Sequence, residues 1–190
     1  MIRVALPGGA TSMKHVAVPV AILIAAAALG GCETVKGWWG GGPKATASLE
    51  PTKGSTVRGT VNFEQRGDKV RVSANVSGLR PNSEFGFHIH ETGDCSSGDG
   101  MSAKGHFNPY GKPHGAHNNP EHHGGDLPSL KSDASGNASL TADVDVITVN
   151  SGPASIIGRG LIVHVQPDDY KTQPTGNAGA RSACAIIERS

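Results

Sequence analysis

Apolar and polar residues alternate at every second position in the segment KVRVSANV, residues 69–76. Successive side chains of a β-strand point to opposite faces, so this alternation predicts a strand with one buried and one exposed face. A similar segment, TVRGTVNF (56–63), precedes it, and Gln65-Arg66-Gly67-Asp68 lies between the two. Because so few polar residues join them, the two segments are predicted to form an antiparallel hairpin.

Further short strands are predicted along the rest of the chain, separated by turns. They are ASLE (47–50), SEFGFHIHE (83–91), a short segment near 127–133, NASLTADV (137–144), GRGLIVHV (158–165) and SACAIIE (182–188). The 27 glycines and 12 prolines favour a fold with many turns, and no segment makes a convincing helix. The predicted fold class is all-β, an eight-stranded antiparallel Greek-key barrel or sandwich.

One stretch, Thr92 to Asp126, has neither helical nor strand periodicity. A structureless loop of this length inside a compact domain usually has a function, and it has too few apolar residues to order itself. It contains five of the nine histidines and ends in the sequence H-G-G-D. Zinc favours four ligands of this kind, so the sequence predicts a long metal-binding loop that a zinc ion orders. The alternative is a solvated histidine-rich loop.

Three other histidines lie in predicted strands. His88 and His90 are two residues apart, so they share one strand face and are able to bind one metal ion together. The alternative is a pair of solvated histidines on the outer face of a sheet. His164 lies in the otherwise apolar strand GLIVHV, where a lone histidine is more often a hydrogen-bonded core or edge residue than a ligand.

The N-terminus is predicted to be a targeting segment. Residues 1–31 contain the apolar run VAVPVAILIAAAALGG after Met13-Lys14-His15, so they predict a secretory signal peptide for which Met13 is a possible true start. The end Leu29-Gly30-Gly31-Cys32 resembles a bacterial lipobox, which predicts lipidation of Cys32; a plain signal peptide and an uncleaved anchor are the alternatives. Residues 32–45 are then a flexible tether and residues 46–190 the folded domain. The expected location is the periplasm, with a lipid anchor in a bacterial membrane.

Charge excludes one class of partner. The formal net charge is +1, and it becomes −1 without Arg3 and Lys14. There is no basic tract of the kind that follows a phosphate backbone, so no nucleic acid is expected to bind.

Five motifs, in order, carry a resemblance to a known family: GFHIHETGDC, GHFNPYGKPHG, HGGDL, SIIGRGLIVHVQPDD and TGNAGARSAC. Together they resemble copper/zinc superoxide dismutase over about residues 46–189, and the spacing is most similar to the bacterial branch, of lipoprotein type. The resemblance implies a Greek-key β-barrel and copper and zinc as cofactors. The implied reaction converts superoxide to dioxygen and hydrogen peroxide by cycling between Cu(II) and Cu(I).

The resemblance also implies roles for single residues. The implied copper ligands are His88, His90, His106 and His164, and the implied zinc ligands are His106, His114, His123 and Asp126. His106 is thus expected to bridge the metals and to take part in catalysis by carrying a proton. His123 is preferred to its neighbour His122 because H-x-x-D and the gap after His114 match the family; His117 and His122 are expected to be exposed.

Four more residues receive roles from the same motifs. Asp168 is expected to hydrogen-bond one copper and one zinc histidine, the alternative being an ordinary turn aspartate. Arg181 is expected to be catalytic, at the mouth of the copper channel, where it would bind the superoxide anion; the alternative is a surface arginine. Cys95 and Cys184 are expected to form a disulfide, which an exported protein retains.

The main alternative function is a non-catalytic copper/zinc-binding lipoprotein, and a further alternative is a domain whose ions only order the loop. A homodimer is among the oligomeric states that the sequence leaves open, because the dimer surface differs between branches of the family.

Overall fold

The structure is a computed structural model that describes residues 1–2 and 41–190. The predicted lipidation site Cys32, and most of the predicted signal peptide and tether, lie outside the described residues. Within the described residues, no helix has both the length and the apolar character needed to cross a membrane.

Ten β-strands and one short 3₁₀ helix make up the described domain. The strands are β1 (Lys44–Pro51), β2 (Arg58–Arg66), β3 (Lys69–Ser77), β4 (Glu84–Phe85), β5 (Phe87–His90), β6 (Leu130–Lys131), β7 (Ala138–Val144), β8 (Gly160–His164), β9 (Arg181–Ile186) and β10 (Glu188–Arg189), with the 3₁₀ helix at Met101–Ala103. β1 begins two residues before the predicted start of the domain.

Eight strands form one antiparallel sheet that curls into a half-barrel. The order along it is β5-β8-β9-β1-β2-β3-β7, and β10 pairs with β1. The predicted hairpin is β2–β3, in which Arg66 pairs with Lys69. Neighbours such as β9 and β1, or β3 and β7, are far apart in sequence, as a Greek key requires. The predicted all-β fold is confirmed.

The predicted strand 83–91 is divided at Gly86. β4 pairs with β6 in a separate two-stranded sheet, whereas β5 pairs with β8. The Gly86 N–H donates to Gln166 O at 2.8 Å, and Gly86 O accepts from the His164 N–H at 2.8 Å. A Cβ at this position would lie 2.7 Å from Ala178 Cβ, so only glycine allows the two segments to come this close.

The core lies on the concave side of the curled sheet. Alternate residues of β2 and β3, such as Val61, Phe63, Val70 and Val72, are at most 1% exposed and meet in one apolar cluster. On β5 and β8, the residues in this cluster are Phe87, Ile89, Leu161 and Val163. His88 and His90 alternate with the core residues of β5, and His164 follows Val163 at the end of β8, so these histidines lie outside the apolar cluster.

Candidate metal centre

β5 and β8 present three histidines on one face of the sheet. His88 and His90 alternate with the core residues of β5, and His164 ends β8 at an irregularity in the pairing with β9. All three are buried, since the long loop covers this face. The alternative of two solvated histidines on an outer face is therefore wrong for His88 and His90.

Main-chain hydrogen bonds hold the loop against the free edge of β5. The Ile89 N–H donates to Gly125 O at 2.9 Å, and Ile89 O accepts from the Phe107 N–H at 2.8 Å. Single β-bridges join His88 to Asp126 and His90 to His106. A Cβ on Gly125 would overlap Ile89 O, so this close approach requires glycine. These contacts bring the histidines of the loop next to those of the strands.

The predicted disulfide is confirmed and joins the same loop to β9. Cys95 and Cys184 are bonded across a separation of 89 residues. Cys184 packs with Ala103 and Ile162 in a small apolar cluster beneath the loop. The loop is thus attached at three places: the edge of β5, the disulfide and the histidine cluster.

Four imidazoles from strands and loop converge around one point. The ring nitrogens His88 Nδ1, His90 Nε2, His106 Nε2 and His164 Nε2 are buried, and none has a hydrogen-bond partner among the described residues. A buried polar atom without a partner costs about 1–3 kcal/mol, so four such atoms in one place require an explanation. Their ligand atoms lie within 4.8 Å of one another.

The opposite nitrogen of each strand histidine is fixed by an acceptor. His90 Nδ1 donates to Lys104 O at 2.8 Å, His164 Nδ1 to Gly179 O at 3.0 Å, and His88 Nε2 to Asp168 Oδ2 at 2.7 Å. Because the proton is on that side of each ring, the converging nitrogen carries a free lone pair.

The four rings are arranged nearly in a square. The ring centroids of His88 and His90 are 6.4 Å apart, and those of His106 and His164 are 6.3 Å apart. The other four centroid separations are shorter, between 4.0 and 5.6 Å. Two long diagonals and four shorter sides describe a flattened, four-cornered set of imidazole rings, which is compatible with the tetragonal preference of Cu(II).

A second group of donors lies beside the first. His106 Nδ1, His114 Nδ1 and His123 Nδ1 are 2.8, 3.1 and 3.3 Å from Asp126 Oδ1, and His106 Nδ1 is 3.5 Å from His123 Nδ1. In a tetrahedral zinc site with ligand bonds of about 2.0–2.1 Å, neighbouring donors are about 3.3 Å apart. Three nitrogens and one carboxylate oxygen at these distances fit zinc.

His106 belongs to both groups, with Nε2 in the four-imidazole group and Nδ1 in the second group. One imidazole is therefore placed to contact two metal ions through its two nitrogens. Asp168 also joins the two donor groups. Its Oδ2 accepts from His88 Nε2 at 2.7 Å, and its Oδ1 accepts from His114 Nε2 at 2.9 Å. Asp168 is buried and accepts from both rings as well as from the Tyr170 N–H, so it does more than cap a turn.

Burial and mutual repulsion keep most of the imidazoles neutral in the metal-free protein. Burial, together with the neighbouring His88 ring, lowers the pKa of both His106 and His164 to about 3. Burial also lowers the pKa of His90 well below its ordinary value. Neutral imidazole is the form that binds a metal ion, so these side chains are prepared for a ligand role.

Two carboxylates, Asp126 and Asp168, raise the pKa of a neighbouring histidine instead of lowering it. Burial alone would lower the pKa of His114, but hydrogen bonds to Asp126 and Asp168 outweigh it and raise this pKa to about 9. Burial opposes ionisation of Asp126, yet its histidine partners hold the pKa of the carboxyl far below the usual range. The second group therefore contains a negative charge that offsets the charge of a cation.

Arg181 lies beside the four-imidazole group at the start of β9. Its guanidinium donates to Gly100 O and to Lys104 O, and Lys104 O also accepts from His90 Nδ1. Arg181 is partly exposed, so it connects the buried histidines to the surface. The structure places Arg181 next to His90 of the predicted copper site, and its role at the mouth of a channel stays a prediction.

Two loop histidines that were expected to be exposed, His117 and His122, are at least partly buried. The prediction that His122 is exposed is wrong: it is 4% exposed, and its Nδ1 donates to His123 O at 2.6 Å. His117 is half-buried. Neither side chain belongs to the two donor groups. The local sequence predicted exposure because both lie among polar residues, whereas tertiary contacts with the segment around Asp145 bury His122.

One positioning residue, Gln173, was not predicted from the sequence. Its Oε1 accepts from the His114 N–H at 2.8 Å, and its Nε2 donates to His114 O at 2.9 Å. This side chain binds both main-chain groups of a predicted zinc ligand 59 residues away. Nothing in the local pattern around a glutamine in an exposed loop distinguishes it, so only the structure reveals this role.

Comparisons with known proteins identify similar sequences and structures. The family profile described as copper/zinc superoxide dismutase (SODC) matches residues 57–187. "Superoxide dismutase (Cu-Zn) 2" of Aquifex aeolicus (strain VF5) is 41% identical over 148 residues, covering 76% of this chain and 86% of that protein. "Superoxide dismutase (Cu-Zn)" of Paramecium bursaria Chlorella virus 1 is 39% identical over 158 residues, covering 76% and 83%. The solved structure titled as the clock protein EA4 is 41% identical with a TM-score of 0.70, covering 76% and 93%.

Proposed function

The chain belongs to the copper/zinc superoxide dismutase family, and from this membership we propose which of its residues hold the metals and handle the substrate. It is an oxidoreductase that converts superoxide to dioxygen and hydrogen peroxide, with copper and zinc as cofactors. The function, enzyme class and cofactors expected from the sequence are confirmed. The alternative of a non-catalytic metal-binding lipoprotein has no support among the relatives, which are named as dismutases.

The copper ligands in this proposal are the nitrogens of the four-imidazole group. The observation that carries it is that His88, His90, His106 and His164 each bury one nitrogen without a partner, all directed at one point. The near-square ring arrangement supports copper rather than zinc in this position. The zinc ligands are then His114, His123, Asp126 and the second nitrogen of His106.

Bound copper would supply the one-electron redox chemistry, and bound zinc a fixed positive charge beside it. His106 would hold a proton at Nε2 in the half of the cycle in which this nitrogen is not bound to copper, and would donate it to the forming peroxide in the other half. Arg181 attracts the anionic substrate and orients it with fixed N–H donors. Asp168 holds the rings of His88 and His114 so that both donor groups keep their orientation.

Metal analysis of three alanine variants tests the assignment. Purified apoprotein is loaded with copper and zinc, freed of excess ions and examined by elemental analysis. We expect His90→Ala to lose copper and retain zinc, His123→Ala to lose zinc and retain copper, and His106→Ala to weaken both. Glu121→Ala, a control at an exposed residue of the same loop that belongs to neither donor group, should retain both metals. Loss of the same metal from all three variants would contradict the assignment.

We also propose that the enzyme is exported and anchored by lipid on Cys32. The support is the apolar run that ends in Leu29-Gly30-Gly31-Cys32, together with a disulfide that persists in an oxidising compartment such as the periplasm. The disulfide uses two of the three cysteines, which leaves Cys32 for lipid. Mass spectrometry should find acylated Cys32 at the mature N-terminus, and Cys32→Ser should abolish acylation. An unmodified terminus elsewhere would refute the anchor and leave the enzyme assignment intact.

We also propose that the processed domain forms a homodimer in solution. Light scattering on the processed domain distinguishes it from a monomer, and a mass of one chain would exclude it.

A further inference from the structure

A buried histidine outside both donor groups faces a cavity of its own. His122 donates from Nδ1 to His123 O at 2.6 Å, so its Nε2 carries the lone pair. Among the described residues, Nε2 makes no hydrogen bond; the nearest acceptor is Asp145 Oδ1 at 3.5 Å. The same cavity, here called the His122 cavity, has a volume of about 420 Å³ and is lined by His117, Asn118, Asn119, Pro120, His122, Asp145 and Val146.

The chain holds Asp145 at this cavity by an unusual turn. Val146 has a φ of +66°, and the Ile147 N–H donates to Asp145 O at 2.8 Å. A positive φ is rare for a β-branched residue and costs about 1–3 kcal/mol, so other contacts must maintain it. Val149 and Ile147, both buried in the core, follow directly and fix the position of the turn.

His117 supplies a second imidazole to the same cavity. His117 is half-buried, and burial lowers the pKa of its imidazole. The cavity lining therefore combines two imidazoles with one carboxylate. The Asp145 side chain is 61% exposed, so the cavity is open to solvent and to an entering ion.

We propose that His117, His122 and Asp145 form a third metal site that takes a divalent zinc ion. Two nitrogens and one carboxylate oxygen with a fourth position open to water are a usual zinc donor set. The bond from His122 Nδ1 to a main-chain carbonyl is the support that metal-binding histidines commonly have. Zinc binding would require the exposed Asp145 and the half-buried His117 to turn towards His122 Nε2, because the three donor atoms do not form a close group among the described residues. This site shares no donor residue with the two groups described above.

Titration of the loaded enzyme with Zn²⁺ tests the proposal. Protein that carries one copper and one zinc per chain is titrated in competition with a chromophoric zinc indicator. We expect one additional equivalent in the wild type. His117→Ala and Asp145→Asn should each weaken it by at least about tenfold, because loss of supporting residues alone weakens metal sites 10- to 100-fold. Glu121→Gln is the control, since Glu121 is adjacent in sequence but pairs with Lys112.

NMR of the wild type provides a readout that depends on no variant. Added Zn²⁺ should shift the imidazole resonances of His117 and His122 and leave those of the native ligands unchanged. The proposal is refuted if these two resonances do not move, if no additional equivalent binds, or if it binds equally to all four proteins. It is equally refuted if only one of the two ligand variants weakens binding. These outcomes do not bear on the dismutase assignment, because both native sites remain loaded throughout.

Discussion

Substitution of Gly176 tests whether Asp168 orients His88 and His114, one predicted ligand of each metal. It has a φ of +66°, and a Cβ built on it would overlap Asp168 Oδ1 and lie 2.5 Å from His114 Nε2. Real Cβ contacts essentially never fall below 3.0 Å, so Gly176→Ala must displace the carboxylate or the imidazole. Either movement breaks the 2.9 Å hydrogen bond between them and disturbs the 2.7 Å bond to His88.

The expected change in metal affinity follows from the two histidines that Asp168 orients. Supporting residues of this kind change metal affinity by about 10- to 100-fold when they are lost. A positive φ by itself costs an alanine about 1–2 kcal/mol of stability. Gly54 separates the two effects, because its φ is +84° and a Cβ there meets nothing within 4 Å. We expect both variants to lose this backbone stability, and Gly176→Ala to lose more because of the overlap, whereas only Gly176→Ala loses metal affinity.

The assay is the rate of metal release from loaded protein to a chelator, measured for zinc and copper separately. Release of zinc from Gly176→Ala should be at least about tenfold faster than from the wild type, since Asp168 orients His114 directly. Copper release should also be faster, through His88. If both glycine variants release metal at the wild-type rate, Asp168 does not orient the ligands. If they accelerate release equally, the cause is global destabilisation.

Three further predictions follow from contacts of the site. Arg181→Ala should lower the dismutation rate about tenfold or more at low salt, with unchanged copper content, and the loss should shrink as salt rises; a salt-independent loss would exclude electrostatic capture. Gln173→Ala removes two hydrogen bonds worth about 0.5–1.5 kcal/mol each, so zinc release should accelerate about 5- to 100-fold. Gln65→Ala is the control, because Gln65 makes four hydrogen bonds far from any metal ligand, and equal acceleration there would refute a local role. Reduction of Cys95–Cys184 should lower the unfolding free energy in urea by about 4–5 kcal/mol in the chain-entropy model, and an unchanged midpoint would contradict it.

The strands were predictable because their burial follows a local pattern. β2, β3 and β7 alternate regularly, and the predicted bounds differ from the observed ones by a few residues at most. The division at Gly86 was not predictable, since a glycine inside an alternating segment leaves the hydrophobic period unchanged. It depends on the close approach of Ala178, a residue distant in sequence.

The site was predictable only as far as the family motifs extend. Residue chemistry alone suggested a metal in the loop, but the pairing of His88 and His90 with His106 and His164 came from the resemblance. The structure brings these residues together, and their roles as ligands stay predictions until metals are measured. The burial of His122 and the contact of Gln173 with His114 depend on tertiary contacts, which a loop without periodicity does not encode locally.

The hydrogen bonds along β5 also protect the sheet from self-association. β5 is the terminal strand in the sheet order, so its outer edge would otherwise present unpaired N–H and C=O groups. An exposed strand edge is a template for pairing with another chain and hence for aggregation. The loop segments at Phe107 and Gly125 cover this edge, and the histidine cluster helps to hold them there. Metal ions that hold the loop in place would also keep the edge of β5 covered, so we expect metal loss to favour aggregation.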